Sequence, residues 1–381
     1  MTQPSGGTPP PPAEGAPPPP AAPAPEHGVY VHVPFCAHRC DYCAFATFTD
    51  RAHLVDAYLD ALVRDVERAV AAGMPRATSV FVGGGTPTHV PADGLARVIR
   101  AIPAAPGAEI TVECNPDDVT PALMETYAAA GVDRVSIGVQ STVAHVLASL
   151  GRRHGPAAVA PAVRAARAAG IARVNLDVIY GAAGETLDDW RRTLDDVVAL
   201  GPSHVSAYGL TVEAGTPLAL EPARHPDDDD QADKYDLADE VLVAAGLANY
   251  EISNWSRPGD ECRHNLTYWR QGNYDGFGSA AHSHRDGRRW WNVRTPERYI
   301  ELVAAGRAPE SAGETLDDAT RRLEGLQLRL RMREGVPASA FEEGELAEMD
   351  GDGLVAVRDG RATLTRPGRR LANAVALRLR A

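Results

Sequence analysis

The chain has 381 residues, 44% of them hydrophobic, and a formal net charge of −13 at pH 7. That length accommodates one large domain and a smaller one. The absence of any run of 18 or more apolar residues excludes an integral membrane protein, and the acidic balance argues against binding to nucleic-acid phosphates. The odd count of five cysteines, with no signal peptide at the start, is typical of a cytoplasmic protein with free thiols or a metal site.

Residues 1–26 are rich in Pro, Gly and Ala and predict a disordered tail, since such a tract cannot bury a core. From residue 28 onward the sequence alternates between predicted strands and helices. The predicted strands are 28–35, 78–82, 108–114, 133–140, 172–180 and 204–212, and helices are predicted at 53–73, 93–101, 156–169 and 186–200 and from Thr120-Pro121. Six strands separated by helices predict right-handed βαβ units and a parallel sheet over residues 27–225.

Polar residues on one face of three of these strands favour a barrel over a flat sheet. Side chains two positions apart share a strand face. The polar residues recur at that spacing: Thr111, Glu113 and Asn115 in strand three, Ser136, Gly138 and Gln140 in strand four, and Asn175 and Asp177 in strand five. Buried strands of a flat parallel sheet are nearly all apolar, whereas the C-terminal strand ends of (β/α) barrels hold the active site. Local hydrogen bonding explains any one of these residues, but it explains three strands less well.

The sequence changes character after residue 225. Residues 226–310 begin with an acidic run and an amphipathic helix and continue into a Trp-, Asn- and Gly-rich stretch, which predicts a connecting segment. Residues 311–381 predict a small α+β domain similar to a winged helix, with a hairpin that turns at Asp359-Gly360 and a helix over 369–379. This domain has as many arginines as acidic residues, so it lacks the basic surface of a DNA-binding protein.

Three cysteines, Cys36, Cys40 and Cys43, follow the first predicted strand with the spacing C-x3-C-x2-C. Three thiolates can hold zinc with His32 or His38 as a fourth ligand. They can also hold three irons of a [4Fe-4S] cluster and leave the fourth iron open to a small molecule. Zinc sites usually combine a C-x2-C pair with a second pair further along the chain, and here the two remaining cysteines stand far apart.

With an aromatic residue, Tyr42, before the last cysteine, this motif resembles the radical S-adenosylmethionine (SAM) superfamily. The resemblance implies a [4Fe-4S] cluster whose open iron binds SAM, and an α/β fold built on a partial (β/α)6 barrel. The stretches YVHVPFC, FVGGGTPT, ECNP, VSIGVQS, LGRRH and VNLDVIYG further resemble the coproporphyrinogen III oxidase-like branch, in the same order and spacing over residues 28–380. Residues 311–381 then correspond to the C-terminal domain of that branch.

The resemblance also implies which residues contact SAM: Tyr30, Tyr42, Gly84, Gly85, Thr86, Glu113, Gln140, Arg152 and Asp177. The G-G-G-T turn is expected to let the ligand approach main-chain N–H groups. The acids are expected to hold ribose hydroxyls or the amino group, and Arg152 is expected to pair with a carboxylate. Each of these polar residues, taken singly, also fits a purely structural role.

Two features resemble the haem chaperone branch rather than the oxidase branch. Phe45 occupies the position at which the oxidases carry a further cysteine, and His264-Asn265-x-x-Tyr268-Trp269 matches the HNxxYW signature of the chaperones. The resemblance implies that the protein binds haem and passes it to haem-requiring client proteins, among them membrane-associated respiratory enzymes. It does not decide whether the protein forms a homodimer.

The segment that contains this signature suits a flat macrocycle with an iron centre. His264 or His282 is expected to offer a neutral imidazole as the axial ligand. Arg263 or Arg270 is expected to meet the propionates. The expected aromatic contacts are Tyr268, Trp269, Tyr274 and Phe277. The alternative is that the motif only ties a loop onto the barrel and that its aromatic residues belong to the core.

Two other functions stay open at this point. The first is an oxygen-independent coproporphyrinogen III oxidase, an enzyme of haem biosynthesis, and the missing cysteine argues against it. The second is a nucleic-acid regulator that uses the C-terminal domain, and the balanced charge argues against it. Whether SAM is cleaved, and therefore whether the protein is an enzyme, is not decided by the sequence, but activity as a coproporphyrinogen dehydrogenase is not expected.

Overall fold

The structure is a computed structural model that describes residues 26–380, and the predicted disordered tail lies outside the described residues apart from Glu26. Its centre is a twelve-stranded sheet, and three further strands form a small second sheet. The strands in chain order are β1 His27–Val33, β2 Ala77–Gly84, β3 Ala104–Cys114, β4 Arg134–Gln140, β5 Arg173–Tyr180, β6 His204–Gly209, β7 Ala248–Glu251, β8 Asn254–Ser256, β9 Asn273–Phe277, β10 His282–Arg285, β11 Arg288–Asn292, β12 Glu310–Thr315, β13 Val336–Pro337, β14 Val355–Arg358 and β15 Arg361–Leu364.

The helices cover the sheet and build the C-terminal part. In chain order they are α1 Val55–Ala71, α2 Ala92–Ala101, α3 Pro121–Ala129, α4 Ala144–Ser149, α5 Val159–Ala168, α6 Leu187–Ala199, α7 Asp228–Ala244, α8 Arg263–Trp269, α9 Pro296–Ala304, α10 Asp318–Arg329, α11 Glu343–Gly351, α12 Arg366–Arg370 and α13 Ala372–Ala376. Within residues 26–380 no helix combines the length and the apolar character needed to cross a membrane.

The six predicted strands correspond to β1–β6, which lie side by side in chain order and pair in parallel. Alternate residues of β1, namely Val29, Val31 and Val33, are fully buried in the same core as Tyr58 and Leu62 of α1. Burial of that apolar face between sheet and helices is the main stabilising term of such a layer. The predicted parallel α/β sheet is confirmed.

Capping side chains fix where two of the helices begin. Thr120 Oγ1 accepts a hydrogen bond from the N–H of Leu123 (3.2 Å), and Pro121 is the first residue of α3. At the start of α6, Thr186 Oγ1 accepts from the N–H of Asp189 (3.1 Å), and the Asp189 carboxylate accepts from the N–H of Thr186 (3.0 Å). This reciprocal arrangement is a capping box, so both helix starts follow from local sequence.

The sheet continues beyond both ends predicted from the sequence. The strand β9 pairs in parallel with β1, and β10, β11 and β12 follow as antiparallel neighbours. At the opposite edge, β8 and β7 pair antiparallel next to β6. The segment expected to connect two domains therefore covers the open edges of β1 and β6, whose backbone groups otherwise lack sheet partners. The boundaries at residues 225 and 310 stay a prediction.

Polar side chains line the inner face of the strands, as their spacing predicted. Asn175 Nδ2 donates hydrogen bonds to Ser136 Oγ (2.6 Å), Asp177 Oδ1 (2.7 Å) and Ser206 Oγ (2.9 Å). His204 Nδ1 donates to Asn175 Oδ1 (2.6 Å). Because the parallel strands are in matched register, with Ser136 beside Asn175 and Asp177 beside Ser206, these side chains can hydrogen-bond to one another across neighbouring strands.

The C-terminal part has a sheet of order β13–β15–β14 and its own hydrophobic core. The hairpin β14–β15 turns at Asp359 (φ 49°) and Gly360 (φ 72°), as predicted for an Asp-Gly turn. The single helix predicted over residues 369–379 is instead two short helices, α12 and α13, separated at Leu371 with non-helical φ −105° and ψ 21°. The likeness of this part to a winged helix stays a prediction.

Candidate functional site

The loop that carries the three cysteines follows β1 and lies at the C-terminal end of the parallel strands. The N–H of Cys36 donates to the carbonyl of Phe48 (3.2 Å), and the N–H of Phe48 donates to the carbonyl of Pro34 (2.7 Å). Further along the loop, the carbonyl of Asp41 accepts from the N–H of Leu218 (3.0 Å), which follows β6. The loop is therefore tied to itself and to the far side of the strand array.

The glycine-rich turn after β2 packs directly against this loop. A side chain at Gly85 would place Cβ 2.7 Å from the carbonyl oxygen of Phe35 and 3.0 Å from Cys36 Sγ. Gly84 has φ +116°, and its Cβ would lie 2.6 Å from the His32 ring. The turn therefore needs glycine so that the cysteine loop can approach it.

The main-chain N–H groups of the G-G-G-T turn are used inside the protein. The N–H of Gly84 donates to Glu113 Oε2 (3.2 Å), that of Gly85 to a carbonyl of β1 (2.8 Å), and that of Thr86 to the carbonyl of Phe35 (2.8 Å). The sequence interpretation, that the glycines expose these N–H groups to a ligand, is therefore corrected. Contact between this turn and SAM stays a prediction. It would have to use atoms of the turn other than these three N–H groups.

Arg152 is held in a fixed position beside the cysteine loop. Its Nη2 donates to Asn115 Oδ1 (2.8 Å) and to the carbonyl of Gly138 (3.1 Å), and its Nε donates to His154 Nδ1 (3.2 Å). Its Nη1 lies 3.6 Å from Cys40 Sγ. Burial and the adjacent guanidinium lower the pKa of His154 to about 4, so this ring is neutral and can accept the hydrogen bond. The guanidinium therefore places a positive charge beside Cys40.

His154 is a site residue that the sequence interpretation missed. It lies two positions after Arg152 in the stretch LGRRH, which was noted only for its resemblance to the family. The signal was therefore present, but the contacts of the ring depend on how the loop after α4 folds back. His154 acts on the site by positioning the arginine.

Two carboxyl groups face the interior above the polar network. Burial and the charge of Asp177 raise the pKa of Glu113 to about 8. Burial also raises the pKa of Asp177, although Ser136 Oγ donates to it at 2.7 Å and Asn175 Nδ2 donates at 2.7 Å. Two neighbouring buried carboxyl groups that both resist ionisation favour the binding of a cationic group between them.

The remaining residues expected at SAM border the same interior. Gln140 has φ 61° at a bulge after Gly138, and its side-chain nitrogen lies 2.8 Å from where a Cβ of Gly138 would stand. Tyr42 packs on the small apolar cluster that includes Leu150 and Leu210. Tyr30 OH donates to His32 Nδ1 (3.0 Å), whose Nε2 donates to a carbonyl of the cysteine loop (2.9 Å).

The three cysteines of the loop are better placed to bind an iron–sulfur cluster than the other two cysteines are. Cys36, Cys40 and Cys43 are free and partly exposed, whereas Cys114 and Cys262 are free and buried. Burial raises the pKa of Cys36 to about 11, so its thiolate needs the charge of bound iron. Within residues 26–380 no three His, Cys, Asp or Glu side chains are placed to bind a single metal ion. A cube is held at separate corners, so its thiols do not meet at one point.

The HNxxYW motif lies on α8 at the opposite end of the strands. The Glu109 carboxylate accepts from the N–H groups of Arg263 and His264 (both 3.2 Å) and from Arg173 Nη2 (2.7 Å). It therefore caps the N-terminus of α8 and is ionised, since the nearby arginines and these hydrogen bonds hold its pKa below the usual range. The helix is fixed beneath the interior, near the start of β3.

His264 has no free ring nitrogen in this structure. The ring is 0% exposed, with Nδ1 3.1 Å from Ser79 Oγ and Nε2 2.8 Å from Tyr268 OH. Burial lowers its pKa to about 4. This geometry supports the alternative interpretation, in which the motif ties a segment to the barrel. The role of His264 as an iron ligand stays a prediction and requires one of these two hydrogen bonds to break.

The other three residues of the HNxxYW motif lie in different surroundings. The main chain of Asn265 lies against the thiol of Cys262. Trp269 packs under the guanidinium of Arg331, 5.9 Å from the centre of its ring. Tyr268 lines a cavity of about 740 Å³ that also reaches the cysteine loop. The structure therefore does not bring the four residues together around one ligand-sized surface.

Comparison with known proteins identifies the family. Residues 30–197 match the radical SAM superfamily. A Mycobacterium tuberculosis protein named heme chaperone HemW is 43% identical over 369 residues, which cover 93% of this chain and 94% of that protein. The chain belongs to the HemW family of radical SAM proteins. Members named heme chaperone HemW from Bacillus subtilis and Escherichia coli are 32% and 34% identical and cover 91% and 83% of this chain.

A solved structure shares the fold of this HemW-family chain. The coproporphyrinogen III oxidase HemN of Escherichia coli, described as a radical SAM enzyme, superposes with a TM-score of 0.81 at 22% identity and covers 93% of this chain and 90% of its own. At that identity the likeness concerns the fold alone. The predicted family and α/β radical SAM fold are confirmed, and membership of the superfamily implies a [4Fe-4S] cluster and SAM.

Proposed function

We propose that this protein is a haem chaperone, which binds haem and delivers it to haem-requiring proteins. Near-full-length identity of 43% to a protein named heme chaperone HemW supports the proposal. The structural observation that carries it is Phe45. At the position where the resembling oxidases carry a further cysteine, the structure has an aromatic side chain that is 67% exposed and borders the 740 Å³ cavity. An exposed phenyl ring costs solubility and favours contact with a flat apolar ligand.

The radical SAM site is part of the proposal. Cys36, Cys40 and Cys43 would hold the [4Fe-4S] cluster, which when bound supplies an electron for one-electron chemistry on SAM. Arg152 places a positive charge beside Cys40. Glu113 and Asp177 form an interior with two carboxyls that favours a cationic ligand.

The other residues expected at SAM complete this proposed site: Tyr30, Tyr42, Gly84, Gly85, Thr86 and Gln140. Tyr30 and Gln140 face the interior from β1 and β4, and the glycine turn fixes the cysteine loop beneath the ligand. We further place the protein in the cytoplasm and expect clients that include membrane-associated respiratory enzymes. A homodimer is compatible with this function.

The test uses full-length protein that is reconstituted anaerobically with iron, sulfide and SAM. Haem is titrated against its Soret absorbance, and transfer to an apo-haemoprotein is followed afterwards. In parallel, coproporphyrinogen III is supplied with a reductant and the products are analysed. We expect haem binding, haem transfer and no protoporphyrinogen. Formation of protoporphyrinogen would assign the oxidase function instead, and absence of haem binding would refute the chaperone function.

A further inference from the structure

The cavity beside the cysteine loop lies on the concave face of β1, β9, β10 and β11. Its volume of about 740 Å³ is within the range of cofactor sites. Its lining includes residues 44–46 of the cysteine loop and residues of the β10–β11 hairpin. The cavity is therefore next to the proposed cluster site.

Aromatic side chains form much of the lining. Phe45, Tyr274 and Trp291 all line the cavity. Trp291 is the cross-strand partner of His282, and the two rings are stacked with centroids 5.7 Å apart and planes at 27°. The hairpin turns through Asp286-Gly287, both with positive φ, which fixes this register. Flat aromatic faces in the lining suit a planar macrocycle.

The charge of the lining is opposite in sign to that of the chain. No Asp or Glu lines the cavity among the described residues, although the chain carries a net charge of −13. Arg289 and Arg294 both line it. Arg289 is already bound by Glu314 (2.7 Å) and Glu324 (3.0 Å). Arg294 forms no ion pair within residues 26–380, so it is the cation available to an anionic ligand.

Two of the three histidines in the lining have both ring nitrogens occupied. His32 accepts from the hydroxyl of Tyr30 (3.0 Å) and donates to a carbonyl of the cysteine loop (2.9 Å). His284 donates from Nδ1 to a carbonyl (2.9 Å) and accepts at Nε2 from a main-chain N–H (3.1 Å). Neither imidazole can bind iron without losing a hydrogen bond.

His282 differs from both. Its ring is exposed, and over the described chain, residues 26–380, neither ring nitrogen has a hydrogen-bond partner. Partial burial and the charge of Arg289 lower its pKa, so the ring is neutral at pH 7 and keeps a lone pair. A neutral imidazole with a free nitrogen is the usual protein ligand of haem iron.

We propose that haem occupies this cavity, with its iron bound by His282 and one propionate paired with Arg294. The inference rests on the proposed haem chaperone function and names the site of the cargo. The macrocycle then lies between Phe45 and the hairpin, beside the cluster loop. Of the HNxxYW motif, only Tyr268 contacts this space, and His264 acts by holding Tyr268 in place. A single imidazole and a single ion pair at an open cavity also suit a cargo that must be released.

The test measures haem affinity and spectra of full-length reconstituted variants. His282→Ala is expected to raise the Kd at least 10-fold and to abolish the spectrum of imidazole-ligated haem, and added imidazole is expected to restore that spectrum. His53→Ala is the matched control, because this histidine is exposed and does not line the cavity. Iron content and circular dichroism should match wild type for both variants.

A charge reversal supplies an independent measurement. Arg294→Glu is expected to weaken haem binding about 10-fold, whereas Arg322→Glu, the same reversal at an exposed position outside the lining, should leave the Kd unchanged. If wild type binds haem and His282→Ala binds it with the same Kd and spectrum, this site is refuted while the chaperone function stands. If wild type binds no haem, both proposals fail together.

Discussion

Replacing Glu113 by Gln tests whether the interior holds a carboxyl group that resists ionisation. Burial and the neighbouring Asp177 raise the pKa of Glu113 from 4.5 to about 8. A carboxyl whose pKa is raised on folding stabilises the folded protein fully below its unfolded pKa, and this contribution is lost as the pH rises through the folded pKa. The free energy of unfolding of the wild-type apoprotein should therefore fall relative to that of Glu113→Gln between about pH 6 and pH 8.5.

The size of the effect follows from the two pKa values. One unit corresponds to about 1.36 kcal/mol, and a rise from 4.5 to about 8 gives a difference of roughly 2.5 kcal/mol between those two pH values. Glu113 keeps some contact with solvent, and screening reduces the expected difference to about 1–2 kcal/mol.

Urea denaturation at the two pH values, followed by circular dichroism, measures this difference. Glu67→Gln on the exposed face of α1 is the control for removing one carboxyl and should show no such pH dependence. Equal pH dependence of Glu113→Gln and wild type, or a Glu113→Gln protein that is the less stable of the two at high pH, would refute the reasoning.

Three further predictions concern the cluster cysteines, the SAM site and the Glu109 carboxylate that caps α8. Cys40→Ser should abolish the iron–sulfur absorbance of reconstituted protein. Cys262→Ser, whose thiol is buried against Glu109, should retain that absorbance. Equal loss of absorbance in both variants would contradict the proposed cluster ligands. Asp177→Ala should weaken SAM binding at least 10-fold in equilibrium dialysis with unchanged iron content, and unchanged affinity would exclude that role. Glu109→Gln should lower the free energy of unfolding by about 3 kcal/mol in urea titrations, because Arg173 loses its buried charged partner, and a change below about 1 kcal/mol would contradict a stabilising role of this ion pair.

Local patterns were sufficient to predict the parallel strands and the inward polar face. Residues two positions apart on β3 and β5 share the interior because a strand alternates its side chains, and no distant contact is needed to see it. The start of α3 at Thr120-Pro121 was equally local. These features depend on neighbours within a few positions, and such neighbours are visible in the sequence.

The role of His264 could not be predicted in that way. Its ring partner Ser79 is 185 residues away, and the Glu109 carboxylate that binds its N–H is 155 residues away. The motif identifies the family, but whether a nitrogen is free depends on these long-range contacts. The exposure of His282 also depends on long-range contacts, because they place its hairpin at the edge of the cavity. Sequence reasoning named both histidines and could not choose between them.

The pairing of β9 with β1 imposes an order of events during synthesis. His27, in the first of the described strands, is hydrogen-bonded through its ring to Asp275, a residue 248 positions later. A nascent chain that has emerged only as far as β6 therefore carries an unpaired β1 edge, and such edges associate with other chains. The barrel cannot be completed before translation has passed β9. A chain that ends between β6 and β9 is therefore expected to expose this edge and to associate with other chains rather than to work as a smaller protein.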